Sequence, residues 1–291
     1  MKRFAVLLAA VALSAACGKV FTVPLDAESQ AFYETARLIM TAAESDIFRH
    51  LPDAGARAEF IDDFWAKRDP NPDTPENEFR DEFNRRIDFI NSHFREGRRA
   101  LDTDRGRIYL FLGPPEKTEN YPGSETSTLL WIYYTYDVAV IFTETRIGGG
   151  YQINQVTGNL FDAFEEAKLN GFGRLQGAAA PRLQSFTATY DREKKEIKVH
   201  LPVRKISFRE ESGVYKADFE FVIYVYKLGG QKDKFEERRA FEGPVADVES
   251  APEISFTFPY DLPPGRNYVD IIVNGGEANG RGRKIFSFQG K

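Results

Sequence analysis

Apolar residues recur at three- and four-residue steps through roughly the first third of the chain, and then the period changes. In residues 26–51, Phe32, Ala36, Ile39, Ala43 and Ile47 fall on one stripe, which predicts a single helix stopped by Pro52. Residues 54–67 repeat the pattern, with Phe60, Ile61, Phe64 and Trp65 on one side. Arg68-Asp69-Pro70-Asn71-Pro72-Asp73 reads as a loop, because prolines and Asx residues break regular structure. Thr74 then offers a cap, Pro75 fits a first turn, and Glu76 and Glu78 suit the positive end of a helix dipole. The third helix opened there carries Phe79, Phe83, Ile87, Ile90 and Phe94 as a core-facing stripe.

After Asp102 the pattern becomes strand-like. Residues 107–112 predict a strand ended by Gly113-Pro114-Pro115. Residues 129–136 and 138–143 predict two more, rich in aromatic and β-branched residues. Gly148-Gly149-Gly150 predicts a turn, and 151–156 a fourth strand. The expected unit, residues 26–170, is an α+β domain of three helices and an antiparallel meander. Residues 171–182 have the composition of a linker. Beyond it, strands are expected at 184–190, 197–203, 215–228, 235–241, 254–258, 268–273 and 284–288. Seven short strands with polar turns over 183–291 predict an all-β, immunoglobulin-like sandwich.

One apolar run fits neither period. Lys2 and Arg3 precede residues 4–13, which are apolar and too short to span a bilayer as a helix. Leu13-Ser14-Ala15-Ala16-Cys17 follows and resembles a bacterial lipobox. On that reading residues 1–16 are a signal peptide, Cys17 is lipidated, and residues 17–25 tether the folded part within about 25 Å of the membrane. An ordinary secretory signal ending at Ser14-Ala15-Ala16 is the plainer alternative. Lipidation also accounts for the chain's only cysteine, which has no disulfide partner.

Composition narrows the partners. The 291 residues are 42% hydrophobic and 14% aromatic, ample for cores. Formal net charge is -5, and loss of Lys2 and Arg3 with a signal peptide takes it to -7. That balance argues against nucleic acid, whose binding needs dense Lys/Arg contacts.

Between residues 64 and 151 an ordered series of short motifs resembles the GWxTD-domain family of bacterial exported proteins. It comprises Phe64-Trp65, Arg68-Asp69-Pro70, Pro72-Asp73-Thr74 and Asn77-Glu78, then Arg86, Asn91 and Phe94. Thr103-Asp104-Arg105-Gly106-Arg107-Ile108-Tyr109, Leu112-Gly113-Pro114-Pro115-Glu116, Trp131, Tyr133-Tyr134 and the glycines before Tyr151 complete it. The chain departs from the family at the naming motif. Ala100-Leu101-Asp102-Thr103-Asp104 stands where Gly-Trp-x-Thr-Asp is expected. The resemblance implies a fold and an exported location, and no established reaction.

Candidate chemistry is sparse. Asp102, Asp104, Arg105 and Arg107 crowd one junction, where paired carboxylates could serve acid–base work or a cation. The same residues suit a turn, with the aspartates accepting backbone N–H groups and the arginines paired to Asp69 or Glu78. Tyr109, Trp131 and Tyr133 could form an aromatic platform for peptide or glycan, or simply core. His50, His93 and His200 share no ligand spacing, so neither a metal nor a cofactor is expected. The expected function is a lipid-anchored, non-catalytic binding module of the cell envelope, with the outer membrane as default address. Its partner would be another envelope protein, with a glycan second. An envelope hydrolase using Asp102 and Asp104 is the alternative.

Overall fold

The architecture was obtained as a computed structural model, which describes residues 23–69, 74–94, 99–123, 126–145, 150–170, 183, 185–230 and 232–290. The expected signal segment, Cys17, most of the expected tether, Pro70 to Asp73, Gly148, Gly149 and the expected linker 171–182 lie outside the described residues.

Two helices, α1 (Ala27–Ala36) and α2 (Ala42–His50), stand where one was expected. Thr41 breaks the run by opening a capping box. Its hydroxyl accepts from the Glu44 N–H at 3.1 Å, and the Glu44 carboxylate accepts from the Thr41 N–H at 2.8 Å. The apolar stripe continues across the break, with Ala36, Ile39 and Ile47 all buried, so periodicity alone does not reveal it. Helix α3 (Ala54–Ala66) matches its expected span closely. Helix α4 (Glu78–His93) starts later than expected. Asn77, not Thr74, is its cap, accepting from the Arg80 N–H at 2.8 Å.

The strand expected at 107–112 is a helix, α5 (Asp104–Leu112). Thr103 caps it by accepting from the Gly106 N–H at 3.0 Å. Ile108 to Leu112 are all buried, so the C-terminal part of the helix has no polar face and reads in sequence as a solid apolar run. Four antiparallel strands follow in the order β1 (Lys117–Tyr121), β2 (Thr128–Tyr133), β3 (Val138–Glu144) and β4 (Tyr151–Thr157). Helix α6 (Leu160–Asn170) closes this α+β unit.

The second half is a β-sandwich. One sheet runs β10 (Glu253–Pro259), β6 (Glu196–Pro202), β5 (Thr187–Asp191). The other runs β12 (Arg281–Gly290), β11 (Gly265–Asn274), β8 (Val214–Lys227), β7 (Arg209–Glu211). Strand β9 (Lys232–Pro244) pairs along the opposite edge of β8. Val199, Phe221, Phe258, Val269 and Ile271 lie fully buried between the sheets. Tyr224, Tyr226, Tyr268 and Ile272 point the other way and join the core of the helical unit. The larger sheet is therefore covered on both faces there, which is why Phe221 to Tyr226 is continuously apolar.

Gly106 marks the tightest point of the α+β unit. A Cβ built there would sit 2.1 Å from the Ala100 carbonyl oxygen. Gly106→Ala should therefore lower unfolding free energy by about 2–3 kcal/mol, as overpacking against backbone does. Urea unfolding of the two proteins checks this, and equal midpoints would refute the close approach.

Candidate functional site

The residues singled out by sequence fall into two groups. Tyr109, Trp131 and Tyr133 are buried in the core, so the aromatic platform is replaced by packing. Tyr109 stacks on Phe89 at 4.5 Å between centroids, and Trp131 meets Phe142 edge-on at 4.9 Å. The polar residues at the junction are tied to different neighbours. The Asp104 carboxylate accepts from the Ile153 N–H of β4 at 2.9 Å. Asp102 lies 4.0 Å from Arg37. The Arg105 guanidinium lies over the rings of Phe94 and Tyr151, 4.8 and 4.4 Å from their centroids. Arg107 is exposed. The two carboxylates are thus spent on a strand edge and a surface ion pair, and no paired acid–base arrangement forms between them.

Other motif residues act as clamps. Arg86 donates to the carbonyls of Leu110 and Phe111 at 2.9 and 3.0 Å, closing the C-terminus of α5, and pairs with Glu82 at 2.6 Å. Gly113, at φ 76°, passes over that guanidinium and accepts from the Tyr133 hydroxyl at 3.1 Å. Asn77 reaches back to the Trp65 carbonyl at 3.0 Å.

Sequence reasoning missed the largest polar feature, a buried charge cluster where α2 and α3 meet the outer face of the sandwich. Glu44 accepts from Arg68 at 2.8 Å and from Arg283 of β12 at 2.7 Å. Arg283 also grips Asp270 of β11 through two bonds of 3.0 and 2.8 Å. Lys67 lies 3.0 Å from Asp270, donates to the Tyr226 hydroxyl at 2.7 Å and sits 3.6 Å above the Tyr224 ring. The side chains enclose no space for a water molecule. Around this centre, Tyr268 bonds Asp46 at 2.7 Å, Lys232 bonds Asp63 at 2.5 Å and Arg281 bonds the Asp69 carbonyl at 3.2 Å.

Burial would push the Glu44 and Asp270 carboxyls up. The adjacent cations outweigh it and hold both below the usual carboxylate range. Lys67 goes the other way. Burial draws its ammonium down to about 8, only partly offset by Asp270. Three cations face two carboxylates, and Lys67 is the member that can shed the excess charge.

A groove of about 940 Å³ opens on the sandwich, between the β8–β9 surface and the turn after β11. Asn279 pins one wall by bonding Ser207 N–H at 2.6 Å and its carbonyl at 3.1 Å. The lining carries Arg209, Lys216, Arg238 and Arg239 with Asp218 and Glu220. Its cations are matched nearby: Arg209 to Glu211 at 2.8 Å, Lys216 to Glu211 at 2.9 Å, Arg238 to Glu220 at 3.2 Å and Arg239 to Glu237. Such a wall can bind a polar, mixed-charge surface.

The Lys67 shift has a measurable sign. The unfolded chain keeps that proton to about pH 10.5, while the folded chain loses it near 8. Between these values the unfolded state binds more protons, so stability should rise with pH by up to about 3 kcal/mol. Above about pH 10 the trend reverses as unfolded tyrosines ionise, because burial pushes the Tyr226 hydroxyl well up. Lys67→Met should flatten the rise. Urea unfolding at neutral pH and at about pH 9.5 decides it, and a slope unchanged by the substitution would sink the assignment.

Comparison with known proteins places the first half of the chain. No functionally curated protein matches it. Among solved structures, the AA10A protein of T. fusca matches at 14% identity and TM-score 0.23, over 44% of this chain and 62% of that one. The chain thus spans less than two thirds of that protein's length. The chicken interferon gamma receptor alpha chain matches at 9% identity and TM-score 0.22, over 62% of this chain and 98% of that one. The family model for the GWxTD domain matches residues 19–148, the stretch that holds α1 to α5 and the first three strands of the meander. With the clamps built from its motif residues in view, that stretch of the chain belongs to the GWxTD domain family.

Proposed function

We propose that this protein is a lipid-anchored envelope lipoprotein that holds a rigid, non-catalytic binding body close to a membrane. The observation that carries the reading is the position of the only cysteine, directly after Leu13-Ser14-Ala15-Ala16. Among the described residues no helix is long and apolar enough to cross a membrane. The buried charge seam supports a rigid body, since any slip of the two surfaces that keeps the ions buried leaves a charge without its partner. The occupied carboxylates at Asp102 and Asp104 favour binding over hydrolysis. The groove beside β8 is the surface that meets the partner, an envelope protein with both charge signs on its docking face.

Two measurements follow. Cys17→Ser should move the chain from the membrane fraction to the soluble fraction, and retention in the membrane would overturn the anchor. Crosslinking in cells should capture one envelope protein reproducibly. Capture should fall several-fold in Arg209→Glu combined with Lys216→Glu, as reversal of steering charges predicts. Undiminished capture would remove the groove from the reading.

A further inference from the structure

Strand β9 is 13 residues long and is paired on one side only, to β8. Among the described residues no strand covers its other edge. Alternate residues there direct backbone N–H and C=O groups outward, a ready template for another strand. Its sequence from Lys232 is Lys-Asp-Lys-Phe-Glu-Glu-Arg-Arg-Ala-Phe-Glu-Gly-Pro. Phe235, Glu237, Arg239 and Phe241 are half-buried and share the core-facing side with Ile223, Phe221, Phe219 and Ala217 of β8. Lys234, Glu236, Arg238, Ala240 and Glu242 lie on the exposed side.

Opposed residues in an antiparallel pair share a face, and each step along the strand changes face. A twofold-symmetric pair must therefore place some residue opposite its own copy, and the registers can be compared by that residue. With Arg238 on the axis, Glu237 faces Arg239 and Phe235 faces Phe241 on the half-buried side. On the exposed side Lys234 faces Glu242 and Glu236 faces Ala240. The one like-charged pair, Arg238 with itself, falls where the side chain is 86% exposed and each guanidinium is held 3.2 Å from Glu220 of its own chain. With Glu237 on the axis, two half-buried carboxylates meet and Asp233 opposes Phe241. With Arg239 there, Glu236 opposes Glu242 and two half-buried guanidinium groups meet, each already paired with Glu237 of its own chain.

We propose that β9 pairs antiparallel with β9 of a second copy about a twofold axis at Arg238, joining two sandwiches into one continuous sheet. The contact is isologous, so it closes as a dimer and does not propagate. The charges that deter unspecific edge pairing become the selection rule for this one partner. Arg238, Arg239 and Ala240 also line the groove, so the axis sets two grooves side by side. Pairing does not require the lipid, and its failure would leave the anchor reading untouched.

The test is sedimentation equilibrium of the full-length chain in density-matched detergent. The parent should dimerise. Glu237→Arg alone or Arg239→Glu alone should weaken the dimer on the order of a hundredfold, because each opposes like charges twice. Both changes in one chain should restore it. An equimolar mixture of the two single variants should form a heterodimer, which also shows that each is folded. A monomeric parent, equal dimer constants in parent and single variants, or no heterodimer in the mixture would each overturn the proposal.

Discussion

Glu44 is the residue on which the arrangement of the molecule turns. Its carboxylate closes the capping box that starts α2, receives Arg68 from the end of α3, and receives Arg283 from the sandwich. One side chain thus sets the start of a helix, the angle between two helices and the seat of the second half of the chain. Placing an ionised carboxylate where no water enters costs several kcal/mol, recovered only if both of its oxygens find donors in good geometry. Two guanidinium groups and a backbone N–H meet that condition. The same stringency explains the surrounding ring of single bonds, Tyr268 to Asp46 and Lys232 to Asp63, which hold the two surfaces in the register the buried ions need.

This seam also explains what was legible in the sequence. The third-helix stripe and the alternating strands of the sandwich show plainly, because each follows one period and buries one face. The fold class was readable for that reason. The break at Thr41 was hidden because buried residues continue across it. Helix α5 reads as a strand because burial of Ile108 to Leu112 on all sides erases the period that separates helix from strand. The cluster was unreadable for a different reason. Glu44, Lys67 and Arg68 are ordinary charged residues in sequence, more than two hundred positions from Asp270 and Arg283, and only tertiary contact makes the two sets partners. The one local hint was Arg68-Asp69 directly after an apolar helix.

The junction at Asp104 shows why a charged motif need not be a reactive one. Thr103 starts α5 and the next residue satisfies the outward N–H of Ile153 on β4, so the Thr-Asp pair fastens a helix to the edge of a sheet. Leu101, at the position of the family's tryptophan, is buried in the same core as Trp131. Loss of the Gly-Trp pair therefore changes packing volume at a core position and leaves the polar fastening intact. Arg86 and Gly113 repeat the logic at the other end of α5. The C-terminal end of α5 is buried away from solvent, so Arg86 of α4 must satisfy its last carbonyls, while Thr103 of the preceding loop caps its start.

Two of the molecule's sheet edges, β4 and β9, differ in how their outward groups are met. At β4 a carboxylate from the same chain takes the free N–H of Ile153. At β9 the described residues provide no such cap, and the edge carries instead an ordered run of opposite charges flanked by two phenylalanines. If charge served there only to repel other strands, its order would be immaterial and a run of one sign would serve best. The observed order does something a single sign cannot: it is complementary to itself when reversed about Arg238. Selectivity of this kind comes from the difference between one matched register and its mismatched neighbours. Because each neighbouring register brings like charges together on the half-buried side, where charge is less screened, that difference is largest where the strand can use it.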